Sequence, residues 1–246
     1  VAIVTGGNGG IGLGMAEGLL DAGADVAIWA RNATKNEAAA ASLRERAPER
    51  RVLALQCDVS DEEQVIASMD ATVAELGRVD ALVANAGIGG GGAIVDMPLA
   101  EWRRVMAVNL DGTFLTMREA ARRMIAQGEG GALVAISSTS AIHGAPMTSN
   151  YATSKAGVLA LVRSMAVAWA RHGIRVNAVL PGWTRTEMAE GGFQNDRFRE
   201  ATTQRTPVRR WADPAEFRDV AAYLCDPTVT FHTGDTLVVD GGYTVF

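Results

Sequence analysis

Residues 1–14 read Val1-Ala2-Ile3-Val4-Thr5-Gly6-Gly7-Asn8-Gly9-Gly10-Ile11-Gly12-Leu13-Gly14, and an amphipathic pattern continues to about Leu20. A β-branched run, a glycine-rich turn and a helix thus follow one another with no residue to spare. Glycines in such a turn admit positive φ and let the backbone approach a diphosphate closely. The free N–H groups of the first helical turn attract the same anion. This reading sets Gly6, Asn8, Gly10, Ile11 and Gly12 against a dinucleotide. No Lys-Ser or Lys-Thr follows the glycines, which disfavours the phosphate loop of an NTPase.

The same alternation continues outward from this stretch. Strands are expected at 26–30 (VAIWA), 51–56, 80–84 (DALVA), 132–137 (ALVAIS), 174–179 and 236–239, with helices near 34–47, 98–126 and 151–171. Ser60-Asp61-Glu62-Glu63 reads as a capping box opening a helix to about Leu76. Asp213-Pro214-Ala215-Glu216 supplies an N-cap, a first-turn proline and an acid for a helix to about Cys225. Strands that alternate with helices predict an α/β fold, a doubly wound parallel sheet of about seven strands with ligands at the strands' carboxyl ends. One domain over 1–246 is expected. Residues 185–211 are polar and arginine-rich, and they read as a mobile lid hinged at Gly191-Gly192.

Composition bounds the function. The 246 residues are 48% hydrophobic and 21% charged, with net charge -5 and mean hydropathy +0.08. Without a run of like charge, binding to a nucleic-acid backbone is not expected. No stretch of 18 uninterrupted apolar residues occurs, and the chain opens in a strand rather than a signal peptide, so a cytoplasmic protein is expected. Cys57 and Cys225 lie far apart without metal-ligand spacing. They read as buried free thiols in a reducing compartment, and no metal is expected.

The chemically informative residues fall at strand ends. The second strand ends at Arg31-Asn32, about 20 residues past the glycines, where arginine accommodates the 2′-phosphate of NADP and an acid would hold the 2′-OH of NAD. Arg31 favours NADP(H) over NAD(H); a solvated loop charge is the plainer alternative. Asp25, at the opposite strand end, is out of reach of the ribose. Asp58 is set to contact an adenine edge or to cap the turn at Ser60. Asn85-Ala86-Gly87 leaves room for a ligand, and Val108-Asn109-Leu110-Asp111-Gly112 is poor helix sequence that a local distortion would suit. Ser138 follows the fifth strand, and Tyr151 and Lys155 share one helix face four residues apart. An ammonium beside a phenol favours the phenolate, so the Tyr151 pKa is expected below its ordinary value of roughly 10. Of 23 basic residues only Lys35 and Lys155 are lysines, which suggests a need for a compact charge at the latter. His143 reads as a loop residue near the site. Trp183, Met188, Phe193 and Trp211 either line an apolar pocket or anchor the lid.

Taken together, Thr5-Gly6-x-x-x-Gly10-Ile11-Gly12, Asp58, Asn85-Ala86-Gly87, Asn109, Ser138, Tyr151-x-x-x-Lys155, Pro181-Gly182 and Asp240-Gly241-Gly242 resemble the short-chain dehydrogenase/reductase family over essentially the whole chain. Ala84 departs from the family's Asn-Asn-Ala-Gly pattern. The resemblance implies an oxidoreductase that interconverts a ketone or aldehyde and an alcohol. In it Ser138 steadies the substrate oxygen, Tyr151 is the acid/base, Lys155 tunes Tyr151 and binds the nicotinamide ribose, and the Asn109 backbone holds a relay water. It further implies adenine beside Asp58 and Val59, nicotinamide near Pro181, Gly182, Thr184 and Thr186, and a homotetramer or dimer through two long helices. Gln127-Gly128-Glu129-Gly130 and His172 make a weak docking surface for an acidic acyl carrier, and no such substrate is expected. The competing readings are an NAD-dependent alcohol or sugar dehydrogenase of the same family and a dinucleotide-sensing module without turnover.

Overall fold

A computed structural model describes residues 1–144 and 146–246. Seven strands, β1 (Ala2–Thr5), β2 (Val26–Ala30), β3 (Val52–Gln56), β4 (Ala81–Ala84), β5 (Gly131–Ile136), β6 (Ile174–Pro181) and β7 (Thr236–Val239), form one sheet. Their order is β3-β2-β1-β4-β5-β6-β7, and every pairing is parallel. The chain runs outward from β1 to β3, then returns to lay β4 on the other side of β1. Connections leaving β1 and β4 therefore diverge, and a crevice opens at their carboxyl ends.

The apolar strands are buried on both faces, as a parallel sheet requires. Ile3, Ala27, Trp29, Leu82, Leu133 and Val176 face one helical layer, made by α3 (Glu62–Leu76), α5 (Gly112–Gln127) and α6 (Ser149–Trp169). Their neighbours Ala2, Val4, Val26, Ile28, Val83 and Val134 face the other, made by α1 (Gly10–Asp21), α2 (Ala33–Arg46) and, at the carboxyl end of the chain, α9 (Arg218–Cys225). Trp29 is fully buried, and its indole N–H is satisfied by the Thr72 hydroxyl at 3.1 Å. Ala84 packs into the first of these layers, so the position that departs from the family pattern is filled by apolar contact.

One expectation needs correction and two gain detail. The cap of α3 is Asp61, whose carboxylate accepts from Gln64 N at 3.1 Å, while the Ser60 hydroxyl donates to Asp58 at 2.7 Å. Two adjacent residues were both competent caps, and the one nearer the first helical residue won. The long helix after Pro98 is interrupted: α4 (Leu99–Met106) and α5 are joined by a π-helical segment, Ala107–Asp111, where the weak helix formers had suggested distortion. Finally, 185–211 contains α7 (Glu190–Gln194) and α8 (Asp196–Arg205). Gly191 and Gly192 lie inside α7 without positive φ. The segment is anchored by aromatic contact: Trp183 stacks on Trp211 at 5.1 Å between ring centroids, with Phe198 and Phe193 edge-on to them.

Candidate active site

Two adjoining cavities, of about 500 Å³ and 470 Å³, occupy the crevice. The first runs from the glycine turn to Ser138, Tyr151 and Lys155 and on to Pro181, Gly182, Thr184 and Thr186. The second is lined by Arg31, Asn32, Asp58 and Val59. Gly6, Asn8, Ala86 and Gly87 face both, while Gly10, Ile11 and Asn85 face the first. Two expected residues stand behind the wall instead. Gly12 packs under the turn, where a Cβ would come within 2.4 Å of the Gly6 carbonyl oxygen, and Gly6 itself has φ +64. Asn109 is fully buried. Its side chain exchanges hydrogen bonds with the Ile88 main chain at 2.8 and 3.1 Å and reaches Ser154 Oγ at 3.1 Å, while its carbonyl accepts from Thr113 Oγ1 at 2.8 Å.

The end of the crevice lined by Arg31, Asn32, Asp58 and Val59 is organised by α2. Asn32 spends its side-chain oxygen on capping that helix, accepting from Lys35 N at 2.9 Å. Asp58 Oδ1 accepts from Ser60 N at 3.0 Å as well as from the Ser60 hydroxyl, so the capping and cavity-lining roles expected of Asp58 coexist. Asn36 escaped the sequence reading. It is buried, it donates to the Ala30 and Leu55 carbonyls at 2.8 and 2.9 Å, and it accepts from Asn8 Nδ2 at 2.7 Å. Lys35 was noted only as one of two lysines, yet it lines both cavities. Asp25 is paired with Arg51 at 2.8 Å, away from the crevice as expected.

The catalytic candidates sit where β5 ends and α6 begins. Lys155 is buried, and its ammonium donates to the Ile136 carbonyl at 2.8 Å while lying 5.8 Å from the Tyr151 ring centroid. A Cβ at Gly87 would meet both this ammonium, at 3.4 Å, and Asn109 Oδ1, at 3.3 Å, so the two groups converge behind one glycine. The electrostatics differ from expectation. Burial raises the Tyr151 phenol above its ordinary value, and the neighbouring Ser138 hydroxyl offsets this only in part. Burial also lowers the Lys155 ammonium to about 8. Desolvation thus sets the direction of both shifts in the free protein. Trp183 and Met188 line the first cavity, whereas Phe193 and Trp211 belong to the aromatic cluster of segment 185–211. His143 is edge-on to Tyr243 at 5.9 Å. Among the described residues no cluster of His, Cys, Asp and Glu could hold a metal, and no helix is long and apolar enough to cross a membrane.

The family model described as enoyl-(acyl carrier protein) reductase matches residues 6–244. The chain is 41% identical over 245 residues to cis-4-hydroxycyclohexanecarboxylate dehydrogenase of Sinomonas cyclohexanicum, covering 99% of this chain and 96% of the relative. It is 37% identical over 241 residues to L-rhamnose 1-dehydrogenase (NAD(P)(+)) of Sphingomonas sp. (strain SKA58), covering 98% and 94%. A crystal structure of a short-chain type dehydrogenase/reductase from Mycobacterium marinum superposes with TM-score 0.93 at 38% identity, covering 99% and 94% of the two chains.

Proposed function

The chain belongs to the short-chain dehydrogenase/reductase family, and on that premise we propose that it interconverts a ketone or aldehyde and the corresponding alcohol, with NADP(H) preferred to NAD(H). Its class is that of an NAD(P)-dependent oxidoreductase acting on CH–OH donors. One observation carries the finer reading: Ser138, Tyr151 and Lys155 line the same cavity as the glycine turn. A dinucleotide fits the crevice, because the two cavities adjoin along Gly6, Asn8, Ala86 and Gly87. Arg31, Asn32, Asp58 and Val59 would hold its adenosine end. The turn would hold the diphosphate, and Asn85, Lys155, Pro181, Gly182, Thr184 and Thr186 the nicotinamide end.

When bound, the nicotinamide supplies or accepts the hydride at the substrate carbon. Ser138 orients the substrate oxygen, and Tyr151 gives or takes its proton. A phenol held above its ordinary pKa stays protonated near neutral pH, which suits it to donate to a carbonyl oxygen. Lys155, lowered to about 8, lies 5.8 Å from the Tyr151 ring centroid, and a water held by the Asn109 backbone would link it to solvent as a proton relay. Positioned acid–base catalysis of this kind contributes about 10²- to 10⁴-fold. Reduction of a carbon–carbon double bond on a carrier protein is not carried over from the family description. The expected docking region holds Glu129, an acid paired with Arg78. A cytoplasmic location and a homotetramer packed through α5 and α6 complete the proposal, the latter supported by the exposed Val167 and Phe114 on those helices.

A panel of ketones, secondary alcohols and polyols assayed with both dinucleotides tests the reading. Tyr151→Phe should lower kcat by about 10²-fold or more while binding NADPH as tightly as the parent. A parent protein that binds NADPH yet turns over nothing in the panel would leave the sensing module as the better account.

A further inference from the structure

Thr148 stands at the N-cap of α6, yet its hydroxyl makes no capping bond. A threonine there ordinarily accepts from an N–H two or three residues on, and the third is Tyr151 N. That donor is taken by Asn150 instead, whose Oδ1 accepts from it at 2.9 Å. Packing holds Asn150 in this post. It is fully buried, and a Cβ at Gly90 would lie 2.6 Å from its Nδ2, so the amide occupies space that any larger residue at 90 would claim. The catalytic helix is thus capped from inside the fold, and the Thr148 hydroxyl is released from that duty. It borders the first cavity together with Ser138, Ser140 and Tyr151. Ser138 Oγ accepts from Ser140 N at 3.1 Å, which leaves the Ser138 hydrogen for the reacting oxygen.

We propose that Thr148 receives a second, uncharged oxygen of the substrate, so that the preferred substrate is a diol, or the matching hydroxyketone, on an aliphatic body. The inference deepens the oxidoreductase reading above and rests on it. Charge decides between a hydroxyl and a carboxylate as the second group. Among the described residues the charged side chains on this cavity are Lys35, Glu187 and Lys155. Lys35 is paired with Glu187, and the Lys155 ammonium donates to the Ile136 carbonyl. A substrate carboxylate would enter without a cation of its own, at the cost of its hydration. A hydroxyl asks only for a neutral partner, which Thr148 supplies as donor or acceptor. Trp183, Met188, Gly89 and Gly90 leave the rest of the wall to carbon. The second oxygen is held and not oxidised; hydride leaves the other carbinol carbon for the nicotinamide, and Tyr151 takes that carbon's hydroxyl proton.

The test compares kcat/KM for cyclohexanol, the isomeric cyclohexanediols and a hydroxycyclohexanecarboxylate, with the dinucleotide saturating. The parent should prefer at least one diol to cyclohexanol by about 10-fold, the range of one neutral hydrogen bond, and should not prefer the acid. Thr148→Val should collapse that ratio, mostly through KM for the diol, and Thr148→Ser should restore it. Asn150→Ala carries the sharper prediction. With the amide gone, Tyr151 N turns to the Thr148 hydroxyl, so the diol preference should fall although Thr148 is present, and adding Thr148→Val should lower the ratio no further. If Thr148→Val weakens cyclohexanol and the diols equally, Thr148 only shapes the wall and the proposal is overturned. Preference for the acid over every diol would overturn it too. A parent that turns over none of these compounds, nor any ketone, with either dinucleotide would instead sink the oxidoreductase reading.

Discussion

Replacing Lys155 by methionine should stabilise the fold while it disables the site. Lys155 is 4% exposed, its ammonium donates to the Ile136 carbonyl, and burial lowers its pKa from 10.5 to about 8. At 1.36 kcal/mol per unit, that drop means the charged form is disfavoured by about 3 kcal/mol relative to the unfolded chain. Methionine keeps the length and removes the charge, but it leaves the Ile136 carbonyl without its donor, a loss of about 1 kcal/mol. The net gain is about 2 kcal/mol, or about 4–8 °C in Tm for a chain of this size. The sign in pH follows from proton counting. Between about pH 8 and 10.5 the unfolded chain holds a proton that the folded one has released, so stability of the parent rises with pH across that window. The penalty is full below about pH 8 and fades towards 10.5, and the advantage of Lys155→Met fades with it. Thermal melts of both proteins without dinucleotide, at one protein concentration and from pH 6.5 to 9.5, measure this. A variant that melts at or below the parent at pH 7, or whose advantage grows with pH, would refute the reasoning.

Glu216 is held down at about 2 by the Arg210 guanidinium and the Asp213 N–H. Its contribution should be present above about pH 4.5 and lost as pH falls through 2, so acid-unfolding curves of Glu216→Gln should start about 1 kcal/mol lower after solvent screening and merge with the parent near pH 2. Gly12→Ala drives a methyl group to 2.4 Å from the Gly6 oxygen; overpacking of this kind costs about 1–3 kcal/mol, to be read in urea unfolding together with weakened NADPH binding. Val167→Glu tests assembly, because Val167 is 84% exposed on α6 whereas Val162 of the same helix is core. The mass in solution should fall with circular dichroism unchanged, and an unaltered mass would remove this face from the interface.

Features set by short-range chemistry were legible in the chain. Strand β2 lies where VAIWA predicted it, and the Asp213 N-cap forms as read, with Glu216 closing it into a capping box on a 3-10 turn that leads into α9, because residues a few positions apart decide both. The alternation of elements likewise sufficed for the sheet, and the weak helix formers around Asn109 announced the π-helical segment. What escaped was decided through space. Lys35 meets Glu187 from the far end of the chain, and nothing near either residue announces the other. Asn36 looks like an ordinary polar helix residue until β2 and β3 bring their carbonyls to it. The Tyr151 phenol was misjudged for a related reason. Spacing reveals a neighbouring cation, but only the finished fold reveals how much water has been excluded from both groups.

The buried Asn36 amide has a consequence for engineering. It holds the end of β2, just before Arg31, through the Ala30 carbonyl, and it holds the glycine turn through Asn8. On the proposed reading, the ribose and diphosphate ends of the crevice are therefore mechanically linked by one side chain that makes three hydrogen bonds. Libraries that swap dinucleotide preference by varying 31 and 32 alone will transmit any backbone shift at the end of β2 to the turn. Positions 8 and 36 belong in the same library, varied as a pair.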